Sequence, residues 1–370
     1  MSSVASSRWP LVALALVLHA CSDDDGSIVV SDAGADAGAD IDTIDVGDAG
    51  DGPPDLGEDL GPGDGGVTDP SLIFRGIEPI GNGRLFVEIR GNIATTKNPV
   101  VLLSFLPGMG SEYWAPLVDP VFGPSGINEA DRAVAYVDLL AQGRSSLASS
   151  DESLVNAANQ LQSLGNTIQF MKDRFFTETT RFDLVGHGWG GLMAALYAAS
   201  NPGSVGRLVL ISPYPANIDV HAEWIANYRT DGRHDTRALT DLTNNPQCGR
   251  NLDQCAIDSF RIYAVPWVCE GNEDVFFQDL EVFHANFLGD RLVDLDLRNQ
   301  GDAYDFAAAI AQIQAPTTVL TGDCDPIPEA NFQIYTQIPG ALRVRFPESG
   351  FFPMVESPDA FTPALLEALE

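Results

Sequence analysis

The chain is poor in basic residues. Lys and Arg number 20 against 52 Asp and Glu, a formal net charge of −32. A surface of that sign repels phosphate and excludes nucleic acid as a partner. Histidine is scarce as well: there are five, and none follows His284. His221, His234 and His284 lack the spacing of a metal site, and no segment has the ligand spacing of an EF-hand calcium loop. Neither a metal nor another cofactor is expected. No repeat of solenoid period is visible. Long apolar runs are missing too. Residues 11–18 centre an apolar stretch of about ten residues, too short to span a bilayer as a mature helix.

That stretch follows Arg8 and reads as a targeting signal over residues 1–20. It ends in Leu18-His19-Ala20-Cys21, which resembles the lipobox of bacterial lipoproteins. The resemblance implies lipidation at Cys21 and a place in the bacterial cell envelope, with the membrane as partner through the lipid. Ser22 rather than Asp after the cysteine implies the outer membrane. The plainer alternative is an ordinary signal peptide with an incidental cysteine. Residues 21–70 then form a linker rich in Asp, Gly and Ala. It holds 15 acidic and no basic residues, leaving 37 acidic and 19 basic, or −18, for residues 71–370. Such a segment buries too little apolar surface to offset the entropy of ordering, and reads as an extended acidic tether. Calcium binding is its sharper alternative.

From residue 71 the pattern is that of an α/β fold. Residues 84–90 alternate and read as a strand after Gly81-Asn82-Gly83. Residues 99–105 are nearly all apolar, as a central strand buried on both faces requires. Residues 107–114 read as a loop entering a helix, residues 132–138 as a strand, and residues 152–176 as a helix. Further strands are expected over 206–212, 316–322 and 341–346, with helices over 328–338 and 358–369. Residues 214–314 break this alternation, carry three of the five cysteines, and read as a helical cap inserted between the core pieces 71–213 and 315–370. The expected fold is a doubly wound, mostly parallel sheet with that cap.

The chain is organised around residues 180–200. Phe182, Leu184 and Val185 make a short buried strand, and Leu192, Met193, Ala195, Leu196 and Ala199 recur at helical spacing. The joint, Gly186-His187-Gly188-Trp189-Gly190-Gly191, has the outline of a G-x-S-x-G nucleophile elbow. Together with PGMGSEYW, D-x-x-x-x-GRSS, the LVLISP strand, the G-D-C-D loop and Phe352-Pro353-x-x-Glu356-x-Pro358-x-x-Phe361, it makes residues 72–370 resemble an α/β-hydrolase of the proline iminopeptidase type.

The resemblance implies a serine, an acid, a histidine and an oxyanion hole, and the chain departs from that set. The nucleophile position is Gly188, which has no side chain. The base position is Phe351, which cannot transfer a proton. The acid position is kept as Asp325, whose alternative role is a loop aspartate turning the chain before Pro326. Where the family has H-G-G-P-G, this chain has Ser104-Phe105-Leu106-Pro107-Gly108. Ser104, Phe105, Leu106, Gly108 and Trp189 are therefore the oxyanion and pocket candidates. Leu140 and Ala141 stand where the family has Arg-Gly. His187, beside the elbow, reads as structural, and the histidines of residues 214–314 as ordinary packed or polar groups. Loss of the nucleophile or the base alone costs on the order of a million-fold in turnover in a serine hydrolase.

If Cys21 is lipidated, four cysteines remain. Cys248 and Cys255 are close enough in sequence to close a small cap loop, and Cys269 with Cys324 would then tie the cap to the acid loop. The rival reading of Cys324 is a nucleophile, disfavoured by the acid on each side of it. Three functional readings follow. The first is a non-catalytic binding or scaffold protein that keeps the pocket for a small molecule or peptide. The second is an active hydrolase of peptide, amide or ester, or a lyase, using a nonstandard group such as Asp325 with a cap histidine. The third is a relic whose pocket is filled by Phe105, Leu106 and Phe351. No protein partner is legible.

Overall fold

The computed structural model describes residues 71–114, 132–177, 181–233, 235–245, 250–273 and 284–370. The expected signal, Cys21, the acidic linker, His234 and Cys248 lie outside the described residues. None of the described helices is long and apolar enough to cross a membrane.

One sheet runs in the order β1-β2-β4-β3-β6-β7-β8-β9, with β5 paired to β2. The strands are β1 (Leu72–Ile80), β2 (Gly83–Gly91), β3 (Val100–Leu103), β4 (Ala133–Val137), β5 (Ser146–Leu147), β6 (Phe182–His187), β7 (Val205–Ile211), β8 (Thr317–Gly322) and β9 (Leu342–Phe346). From β4 across to β9 the pairing is parallel, and β2 is antiparallel to β1, β4 and β5. β3, β4 and β6 are buried along their whole length, because each lies inside the sheet with cover on both faces. Leu102 of β3 sits between Tyr136 of β4 and Val185 of β6, which sets the register of the centre.

Helix α1 (Ala157–Arg174) buries Leu164, Ile168 and Met171 along one stripe. Its N-cap is Asn156, whose side chain accepts from Asn159 N–H, and a separate short turn occupies Glu152–Leu154. The helix expected over 152–176 is thus shorter at its start, where the cap overrides the apolar spacing. Helix α2 (Gly188–Ser200) is buried from Gly188 through Ala198, so its small residues are what let it lie against the sheet.

β1 was not expected. Its sequence, LIFRGIEPI, contains Gly76 and Pro79, which weaken the strand signal and are tolerated because β1 is the sheet edge.

Between β7 and β8 the described α-helices are α3 (Ile218–Asp231), α4 (Thr236–Thr243), α5 (Leu252–Tyr263), α6 (Phe287–Gln300) and α7 (Ala307–Ile310), with short 3-10 turns at Val265–Trp267 and Gly301–Ala303. Side-chain caps start four of them: Asn217, Asp235, Asn251 and Asn286 each accept from a backbone N–H of the first turn. The chain closes with α8 (Glu329–Tyr335), α9 (Pro353–Glu356) and α10 (Pro358–Ala368).

Candidate active site

β6 delivers the elbow to the end of the sheet, and α2 starts at Gly188 with φ +48°. This is the left-handed backbone that the tight turn demands and that glycine adopts without steric penalty. The space a side chain would need is occupied. A Cβ at residue 188 would lie 2.4 Å from the Phe105 carbonyl oxygen and 2.7 Å from the Phe351 ring.

The same carbonyl takes the elbow's hydrogen-bond donor. Trp189 N–H donates to Phe105 O at 2.8 Å, and Gly190 N–H to Ser104 O at 2.7 Å. In an α/β-hydrolase the N–H after the nucleophile position faces the substrate oxyanion; here it faces the chain itself. The loop is held there by its own bonds: Ser104 Oγ–H donates to Gly110 O at 2.9 Å, and Gln142 Nε2 donates to Leu106 O at 2.8 Å. Phe105 and Leu106 are buried. Gly108 packs against the start of α6, where an added Cβ would meet Asn286 O at 2.4 Å. The Trp189 indole points to Gln160, donating to its Oε1 at 2.6 Å.

Phe351, at the expected base position, lies in an aromatic cluster. Its ring lies 4.4 Å from that of His187, 5.0 Å from Phe352 and 5.0 Å from Trp267, centroid to centroid. Phe105 adds a further edge-on contact to Phe351. His187 is fully buried; its Nε2–H donates to Phe351 O at 2.8 Å, and its Nδ1 faces Tyr113 Oη at 3.1 Å, which sets the tautomer. Burial pushes its pKa down to about 3, so the ring is neutral and bonded at both nitrogens.

Asp325 follows β8, and its loop is joined to the base loop by Cys324 N–H donating to Ser349 O at 2.9 Å. Asp325 Oδ1 accepts from Ile327 N–H at 3.0 Å, the turn geometry weighed above as its structural role. Burial raises its pKa to about 7, a rise that Ser212 and Ile327 N–H moderate. Ser212 faces the carboxylate outside hydrogen-bond geometry: neither Asp325 Oδ2 nor Ser212 Oγ has a hydrogen-bond partner among the described residues. Ser212 has φ +41°, rare for a residue with a side chain. No sequence signal marked it beyond its place at the end of the LVLISP strand.

Two further features frame the site. Asp138, fully buried, accepts from Ser111 N–H and Oγ–H at 2.6 Å each, and from Arg144 Nε at 2.9 Å. Arg144 also contacts Glu112 at 2.9 Å as an ion pair, and Glu112 reaches His284 Nδ1 at 2.7 Å. This network orders the loops beside the elbow. Ala141, in the loop between Asp138 and Arg144, holds φ +57°, a backbone region that favours glycine.

The Cys269–Cys324 disulfide, Cα to Cα 5.3 Å, joins the insertion to the acid loop. Cys324 is thereby a disulfide partner, not the nucleophile of the rival reading. Cys255 is also disulfide-bonded. Glu356 adds a second tie: its carboxylate accepts from Cys269 N–H at 2.8 Å and from Gly350 N–H at 2.7 Å. Among the described residues, no three His, Cys, Asp or Glu side chains converge as a metal site would require.

A parallel sheet with a glycine elbow between its central strand and a buried helix is the architecture of an α/β-hydrolase. A model described as the Alpha/beta hydrolase family matches residues 101–364, and the chain belongs to that family. Solved structures agree at the level of fold. An alpha/beta fold family hydrolase from Bacillus anthracis str. Sterne is 16% identical with a TM-score of 0.60, covering 80% of this chain and 100% of its own. VinJ is 20% identical with a TM-score of 0.57, covering 80% and 98%. A proline iminopeptidase from Mycobacterium smegmatis is 16% identical with a TM-score of 0.53, covering 79% and 96%. Identity this low carries the fold and not the activity.

Proposed function

We propose that this protein is a non-catalytic member of the alpha/beta hydrolase family that binds a small molecule or peptide beside the old elbow. The observation that carries the reading is the Phe105 carbonyl, which accepts the Trp189 N–H and fills the place of a side chain at residue 188. Nucleophile, base and oxyanion donor are then absent together. A serine hydrolase stripped of its triad keeps residual rate through the oxyanion hole, and that donor is engaged here.

The test is turnover by the full mature chain of aminoacyl and short-acyl chromogenic substrates. The expected rate equals that of buffer. Turnover well above it would sink the reading.

One observation favours a second reading, an enzyme with a nonstandard group. Asp325, with a pKa of about 7, has the proton affinity of a general base. In that case Asp325→Asn would abolish whatever turnover the parent has.

We also propose that Cys21 carries a lipid, that the acidic segment over residues 22–70 tethers the domain, and that the outer membrane is the site. The lipobox-like Leu18-His19-Ala20-Cys21 supports this. Incorporation of labelled palmitate into the native chain but not into Cys21→Ala tests it. Equal incorporation, or none, refutes it.

A further inference from the structure

The chain has two lysines, Lys97 and Lys172, and the fold brings both to one end of the sheet. β4, β3, β6 and β7 are parallel, so their first residues share an end, opposite the one that carries the elbow. Lys97 stands three residues before β3. Lys172 lies in the last turn of α1, with Nζ 5.8 Å from the centre of the Phe182 ring at the start of β6. Arg132 directly precedes β4, Arg181 directly precedes β6, and Arg207 is the third residue of β7. Lys97 and Arg181 are exposed.

The acid at their centre is Asp183, 1% exposed. It pairs with Arg132 Nη2 at 3.2 Å and accepts from Asn98 Nδ2 at 2.8 Å, and the charge of Arg207 also acts on it. Asp173, exposed, stands beside Lys172. The five basic residues outnumber these two acids, in a body whose residues 71–370 sum to −18. A positive face on a negative body draws anions to one place and repels them elsewhere.

The chain enters the described fold at this same end. Leu72 of β1 pairs with Arg90 of β2, Gly91 N–H donates to Ser71 O at 2.8 Å, and Asn92 N–H donates to Arg132 O at 3.3 Å. The preceding segment carries 15 acids and no base, and six of those acids fall within residues 51–70: Asp51, Asp55, Glu58, Asp59, Asp64 and Asp69. From β1 to β6 is four strand spacings, about 19 Å. A flexible chain of about twelve residues has an r.m.s. span of about 19 Å, so Glu58 and Asp59 lie within reach of Lys172. A segment joined this closely acts at an effective concentration of about a millimolar, which a separate anion would have to match.

We infer that residues 51–70 dock on the basic end of the sheet, their carboxylates against Lys97, Lys172 and Arg181. The occupant is the chain's own acidic segment: its sign is complementary, and it joins the fold at the edge of this face. The contacts are exposed ion pairs, each weak and screened by salt, so the docked segment lifts away as ionic strength rises. The inference is independent of the catalytic reading, since this face lies at the far end of the sheet from the elbow.

The test is zero-length carbodiimide coupling of carboxylates to amines on the full mature chain, mapped by peptide mass spectrometry. With two lysines in the chain, both on this face, every lysine link reports on it. Links from residues 51–70 to Lys97 and Lys172 are expected at low salt. Their yield should fall severalfold at about 1 M salt, where the Debye length is about 3 Å. Arg181→Gln removes an exposed guanidinium and leaves both lysines; it should lower the yield by about twofold or more, with an unchanged thermal melt showing that it folds. No link from residues 51–70 would overturn the inference. A yield that either salt or Arg181→Gln leaves unchanged would overturn it too, as the mere proximity of a joined chain. Links found only between isotope-labelled and unlabelled copies would overturn it in favour of a second copy. Absence of segment links, with both lysines shielded from acetylation by phosphatidylglycerol vesicles, would overturn it in favour of anionic lipid.

Discussion

The imidazole of His187 and the backbone of Phe351 are hydrogen-bonded, Nε2 to O, at 2.8 Å, and their rings lie 4.4 Å apart. The elbow and the last loop, which a serine–histidine pair would bridge in an active hydrolase, are bridged here by a neutral imidazole and a main-chain carbonyl.

That joint sets a pH dependence. His187 has a folded pKa of about 3 against an ordinary 6.5. Its contribution to stability is complete above pH 6.5 and is lost as pH falls toward 3, because only the unfolded chain takes up the proton. The slope is at most about 1.4 kcal/mol per pH unit. His187→Gln should remove this contribution, so that urea melts at pH 4.5, 5.5 and 7 show stability falling more steeply with rising pH in the variant than in the parent. A slope unchanged by the substitution would remove His187 as its source.

Asp325 works in the opposite direction. Its folded pKa, raised to about 7 from 3.8, makes the native state favoured at low pH and penalised as pH climbs through 7. Asp325→Asn removes the buried charge and gives Ser212 Oγ an amide neighbour. It should stabilise the protein at pH 8 by on the order of 2 kcal/mol and have little effect near pH 4. Between about pH 4 and 6.5 the two groups offset each other, so the asparagine variant should expose the His187 slope. Destabilisation at pH 8 would contradict this account.

Gly188→Ser should not restore a hydrolase. The new Cβ would sit 2.4 Å from Phe105 O at a φ of +48°. The expected cost is roughly 2–4 kcal/mol from overpacking and left-handed backbone. Adding Phe351→His relieves the ring contact and leaves the carbonyl. Melting curves and a chromogenic acyl ester assay check both variants. A stable, active double variant would show that the loop yields.

Ala141→Gly should stabilise. Ala141 holds φ +57°, which costs about 1 kcal/mol for a residue with a side chain. A rise of that size in the urea midpoint is expected, and a fall would mean that the methyl group packs to more advantage than the backbone loses.

Replacing Cys269 and Cys324 together by alanine opens a link across 55 residues. The expected loss is about 2–4 kcal/mol. Hydrogen exchange at Gly350 should stay slow in the variant, because Glu356 still accepts its N–H. Rapid exchange there would mean that the disulfide, and not Glu356, orders the base loop.

Much of the frame was legible. The apolar run over residues 99–105 and the elbow glycines place β3, β6 and α2, because burial on both faces and close backbone approach leave marks in residue type. β1 was not, since Gly76 and Pro79 interrupt its pattern and edge pairing tolerates both. The vacant positions Gly188 and Phe351 could be read from side chains. The Phe105 carbonyl could not: every residue carries one, and only the path of the loop aims it. The indole N–H groups of Trp224 and Trp267, without a hydrogen-bond partner among the described residues, were equally hidden, because an indole's partner, or lack of one, is a tertiary fact.

The Phe105 carbonyl also bears on descent. Glycine to serine at residue 188 is a small chemical change, yet the contact at 2.4 Å is with main chain, which no single side-chain replacement removes. A lineage carrying this loop would have to move the backbone of residues 104–106 before any side chain at the elbow could be accepted, and that intermediate gains nothing from the move. This elbow and one that carries a side chain are therefore separated by two changes, one of them in the path of the main chain.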